Sequence, residues 1–112
     1  MELSHMMTAT ESNFSAKDFV DAAIKEGPVV MIAKSYCGYS NKAYKILSKY
    51  TNDTIRKNID SFNEQDMASI QQYYKDLTGG SSVPRVFING QFVGGCDDIK
   101  KLDEQNKLQQ LI

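Results

Sequence analysis

Apolar positions along the chain fall into two alternating rhythms, one of helical and one of strand period. Residues 16–26 place Phe19, Val20, Ala23 and Ile24 on one face, which predicts a helix. Ser15 followed by Asp18 supplies a capping pair for it, and Gly27-Pro28 stops it. Val29-Val30-Met31-Ile32-Ala33 is an unbroken apolar run. Its shortness and two valines predict a strand, and its lack of polar alternation predicts burial on both faces, as in a parallel pair. Around Ser40 the period becomes helical, with Ala43, Tyr44, Ile46, Leu47 and Tyr50 facing inward. Residues 54–59 form a second, partly polar strand candidate.

A third helix is expected over residues 63–77, capped by Asn63, with Met67, Ile70 and Tyr74 inward and Thr78-Gly79-Gly80 at its end. Residues 84–88 and 91–93 read as two strands joined by Asn89-Gly90, a turn in which both positions favour positive φ. A last helix is expected from Asp97 to Leu111. The order is αβαβαββα. A β-α-β unit is parallel with a right-handed crossover, and the final hairpin is antiparallel. A mixed four-stranded sheet with helices on both faces follows, an α/β protein of one domain. Residues 1–14 read as a polar, flexible lead-in whose opening MELSHM has the look of a cloning remnant, and residues 15–112 as the domain.

Composition narrows the function. A chain of 112 residues with 41% apolar content can bury one core without disulfides or metals. A net charge of −1 gives no broad basic surface for nucleic acid, and no apolar run is long enough to span a membrane. The N-terminus lacks the cationic and apolar parts of a secretory signal. Cys37 and Cys96 are too few for a disulfide framework, and with only His5 as companion they do not suggest a zinc site. A reducing compartment is expected, the cytoplasm first, with an organelle left open.

The chemistry centres on KSYCGYS, residues 34–40. Cys37 follows a buried strand and opens a helix, the position where open α/β sheets build sites. Free N–H groups and the positive end of the helix dipole stabilise a thiolate there, lowering a thiol from about 8.5 to roughly 3.5–7.5. Lys34 and Lys42 lie near enough in sequence to help. An inert buried thiol is the plain alternative, but Ser35, Tyr36, Gly38, Tyr39, Ser40 and Asn41 make a poor interior.

Three stretches, in order, resemble glutaredoxin signatures: Lys34 to Ser40, Thr78 to Ile88, and Gly94-Gly95-Cys96-Asp97-Asp98. The resemblance runs from about Phe14 onward and implies a thioredoxin-like fold with a glutathione groove. It implies that Lys34 and Gln71 hold the glycine carboxylate, with Gln72 a rival by one position, and that Tyr39 packs along the tripeptide. Val83, before a cis Pro84, would offer backbone hydrogen bonds to the cysteinyl part. Gly95 would allow close backbone approach, and Cys96 and Asp97 would meet the γ-glutamyl end.

The implied reaction is reduction of glutathione mixed disulfides on proteins or small molecules, with Cys37 as nucleophile. Ser40 stands where a second cysteine would complete C-x-x-C, so no 37–40 disulfide can close and the cycle is a monothiol one. Its hydroxyl can still donate to the thiolate. Cys96 is a second thiol near the groove, read as a bystander whose backbone matters. The monomer needs no metal. A different reading follows from Gly38, where many transfer-active relatives carry proline: a 2Fe–2S cluster held by Cys37 of two protomers and two glutathiones. A third is a non-catalytic interaction domain with an unreactive Cys37.

Overall fold

The computed structural model describes residues 14–112. The polar lead-in up to Asn13, His5 included, lies outside them. Phe14, assigned to that lead-in by its sequence neighbours, instead stacks on Phe19 and Phe62 at centroid distances of 6.3 and 5.2 Å. An aromatic ring beside two others gains more by burial than its polar neighbours lose.

Helix α1 spans Ala16–Ile24, and the Ser15 hydroxyl accepts the Asp18 N–H at its start. Strand β1, Val29–Ala33, is buried along its whole length. Helix α2, Gly38–Leu47, leads to strand β2, Ile55–Asn58, and a 3-10 turn at Ile59–Ser61. Helix α3, Glu64–Thr78, opens on Asn63, whose side chain accepts the Asp66 N–H, and closes on Gly79 at φ 90°. Strands β3, Arg85–Ile88, and β4, Gln91–Gly94, meet at Asn89-Gly90, with φ of 51° and 81°. These are the two positive angles that a type I′ turn demands.

The last helical stretch differs from the sequence expectation. It is two helices, α4 at Cys96–Glu104 and α5 at Leu108–Leu111. Asn106 sits at φ 59°, and the Lys107 and Asn106 N–H groups return to the Leu102 and Asp103 carbonyls at 2.9 and 3.1 Å. That pair of bonds is a Schellman closure with asparagine in the left-handed position.

The sheet order is β2-β1-β3-β4. β1 runs parallel to β2 and antiparallel to β3, and β3 is antiparallel to β4. Alternate β1 residues face opposite layers. Val29, Met31 and Ala33 pack with Ala43, Leu47, Ile99 and Leu108 from α2, α4 and α5. Val30 and Ile32 pack with Val20, Ala23, Ile70 and Tyr74 from α1 and α3. Each fully buried Val, Ile, Leu or Met side chain here contributes about 1.5–3 kcal/mol. Tyr44, expected inward, is instead exposed, and the Arg56 guanidinium lies 5.4 Å over its ring. Among the described residues no helix is long and apolar enough to cross a membrane.

Candidate active site

β1 ends at Ala33, and three residues of turn carry the chain to Cys37, the N-cap of α2. Cys37 is partly exposed and unpaired, with backbone angles of −85° and 120°. Its N–H donates to the Lys34 carbonyl at 3.2 Å, and its carbonyl accepts the Asn41 N–H at 3.0 Å. Burial alone would push the thiol pKa up. The N–H and hydroxyl of Ser40, the N–H of Tyr39 and the Lys34 charge outweigh it and hold the thiol below its ordinary value. The sulfur closes no capping hydrogen bond in the resting geometry. The donors therefore act on the charge that ionisation creates.

Ser40 is fully buried on the inward face of α2, and its Oγ accepts the Lys34 N–H at 3.4 Å. Lys42 bears on the other thiol rather than on Cys37. At Cys96 burial pushes the pKa up, and Lys42 opposes it while Asp97 adds to it.

A groove of about 390 Å³ lies beside this helix start. Tyr39, Val83, Pro84, Gly95, Cys96 and Asp97 line it, six of the positions singled out from the sequence. The Val83–Pro84 peptide is cis. Tyr39 is 66% exposed, so its ring is free to cover a ligand rather than fill the core. The backbones approach closely at the floor. A Cβ on Gly95 would come within 3.3 Å of the Pro84 carbonyl, and one on Gly94 within 2.4 Å of the Asp98 side chain.

Lys34 and Gln71 do not line the groove. Gln71 directs its amide to the Ser81 carbonyl at 3.2 Å, and Gln72 bonds Asp76 along α3 at 3.1 Å. Three groove residues had no assigned part in ligand binding: Ser82, Arg85 and Asp98. Arg85 folds back onto Ser82, donating to its carbonyl at 2.9 Å and its hydroxyl at 3.2 Å. Asp98 accepts the Gly95 N–H at 3.0 Å, holding the first turn of α4 at the groove wall. The signal for Asp98 was its place three residues after the helix cap. For Arg85 it was an arginine directly after the proline.

A mixed sheet with a partly exposed thiol at a helix start, and a cis-proline groove next to it, places the chain in the thioredoxin-like class. The sequence model of the glutaredoxin family matches residues 29–93. Glutaredoxin-1 of Oryctolagus cuniculus is 36% identical over 94 residues, 83% of this chain and 89% of that protein. Among solved structures, oxidized glutaredoxin 2 from Chlamydomonas reinhardtii matches with a TM-score of 0.78 at 34% identity, over 86% of this chain and 89% of that one. The buckwheat glutaredoxin–glutathione complex matches with a TM-score of 0.78 at 29% identity, over 86% of each chain. The chain belongs to the glutaredoxin family, and so is a glutathione-dependent thiol oxidoreductase.

Proposed function

We propose that the protein reduces glutathione mixed disulfides by a monothiol cycle at Cys37. The observation that carries this reading is a partly exposed thiol, held acidic, beside a groove, with a buried hydroxyl at Ser40 in place of a second thiol.

The Cys37 thiolate attacks the glutathionyl sulfur, and the substrate S–S bond breaks. The target leaves as a thiolate and takes up a proton from water, while Cys37 becomes disulfide-bonded to glutathione. The thiolate of a second glutathione then attacks that disulfide. Oxidised glutathione leaves, the Cys37 thiolate returns, and both electrons have come from glutathione. A lowered Cys37 pKa serves both steps: it supplies the attacking thiolate in the first and a good leaving thiolate in the second.

In this reading the tripeptide lies in the groove. Tyr39 covers it, the Val83 backbone beside Pro84 pairs with its cysteinyl part, and the Cys96 N–H and Asp97 carboxylate meet its γ-glutamyl end across Gly95. Lys34 approaches the glycine carboxylate from the strand end. Gln71 joins it through the second N–H of its amide, the first remaining on the Ser81 carbonyl. Substrates are glutathionylated proteins or small disulfides, and the protein works as a monomer in a reducing compartment.

The test is steady-state reduction of a small glutathione mixed disulfide, coupled to glutathione reductase, with Cys37→Ser as control. Turnover that vanishes in the control is expected. Turnover equal to the control would overturn the reading.

A second reading rests on Gly38, where an added Cβ meets nothing within 4 Å. The Cys37 neighbour is thus unobstructed on that side. Cys37 from each copy and two glutathiones would hold a 2Fe–2S cluster, since iron takes four sulfur ligands there. Anaerobic purification with glutathione tests it by visible absorbance and a dimeric mass.

A further inference from the structure

Arg56 lies on β2, in register with Met31 of β1, and is no part of the groove. Its guanidinium reaches three acceptors on three segments. Nη2 donates to the Lys34 carbonyl at 3.1 Å and to Asn41 Oδ1 at 2.7 Å, and Nε donates to Asn58 Oδ1 at 2.8 Å. The Tyr44 ring covers its face at 5.4 Å.

Lys34 and Asn41 are also the two backbone partners of Cys37. The Lys34 carbonyl receives the Cys37 N–H, and the Asn41 N–H reaches the Cys37 carbonyl. One cation thus holds both residues that hold the nucleophile's backbone. We propose that Arg56 is a positioning residue for Cys37, fixing the strand end and the first turn of α2 against each other so that the sulfur stays at the helix start.

The loop has need of such a clamp. Ser35, Tyr36, Gly38 and Tyr39 are all exposed, and exposed glycine weakens a first turn. Asp60 secures the same loop independently, its carboxylate accepting the Ser35 N–H at 2.9 Å and the Ser35 hydroxyl. Arginine suits the task because its planar fork spans several acceptors at fixed angles, which an ammonium cannot do. Its effect on the sulfur runs through this geometry. The nearby cation that acts directly on the thiol is Lys34.

The proposal rests on Cys37 being the nucleophile, but its test needs no glutathione. The full chain, with Arg56→Ala and Arg56→Lys, is alkylated by iodoacetamide at one neutral pH, and modification at Cys37 is followed by mass spectrometry. Arg56→Ala is expected to slow alkylation about tenfold, because a sulfur moved off the helix start loses the donors that favour its thiolate, the reacting form. Arg56→Lys is expected to stay slow, because the charge returns without the fork. In turnover of the mixed disulfide, kcat falls while KM holds. An unchanged Arg56→Ala rate would overturn the proposal. So would full recovery in Arg56→Lys, which would leave only a charge effect. Should Arg56→Ala fail to fold, Asn41→Ala removes one strut from an exposed position. It is expected to slow alkylation about threefold, a smaller loss of thiolate for a smaller displacement, and an unchanged rate would again overturn the proposal.

Discussion

The Tyr74 hydroxyl donates to the Ser81 carbonyl at 2.7 Å, tying the buried face of α3 to the loop that leads into Pro84. The same carbonyl also takes the Gln71 amide at 3.2 Å. Tyr74→Phe therefore removes one of two donors. A loss of about 1 kcal/mol is expected in denaturant unfolding, the worth of a single hydrogen bond with its acceptor still partnered. Because the loop forms a groove wall, KM for glutathione should rise more than kcat falls.

On the proposed mechanism, Ser40 helps set how far down in pH the enzyme works. The Cys37 pKa lies below the ordinary thiol value, so activity falls only as pH drops through that lowered value. Ser40→Ala deletes the hydroxyl donor, and the fall should begin at higher pH. The neutral-pH rate should drop about tenfold or more, in line with a lost hydrogen bond to a charged acceptor, worth about 1.5–3 kcal/mol. A pH–rate profile of kcat/KM that coincides with the unaltered protein would refute this role.

The two thiols should separate cleanly. Cys37 is partly exposed and acidic, whereas Cys96 is 6% exposed and pushed up by burial. Under limiting alkylating reagent at neutral pH, peptide mapping should find Cys37 modified at least about tenfold faster, since the thiolate is the reacting form.

Acid should loosen the molecule at three places. Asp21 is held low by Lys17 and Tyr73, Asp60 by Ser35, and Asp103 by Lys49 and Tyr50. Each carboxyl has a folded pKa below its unfolded one. Its stabilisation is therefore full above the unfolded value and is lost as pH falls through the folded one. A Tm-against-pH curve should drop below the ordinary carboxylate range, and Asp103→Asn should flatten that drop.

The sequence spoke clearly wherever the physics was local. Ser15 and Asn63 cap helices because their side chains reach N–H groups three residues on. Asn89-Gly90 turns because both residues accept positive φ. The place of Cys37 at a helix start was legible because an apolar strand run gives way to a helical period within a few residues. Asn106 was harder, being only moderately at ease in a left-handed conformation and set among polar neighbours without glycine. Tyr44 misled because a tyrosine at helical spacing suits core and surface alike. Arg56 was not readable at all. Its part depends on the β1–β2 register, which brings it to a carbonyl 22 residues away in sequence.

β1 is paired on both edges and buried on both faces. In hydrogen-exchange terms, its amides are expected to open only when the whole domain opens, and α5 and the Tyr36 loop to exchange through smaller fluctuations. Cys37 stands four residues beyond the end of that strand. On the proposed mechanism the reacting sulfur is hung from the part of the molecule with the most pairing and burial, and solvent reaches it without that part having to melt.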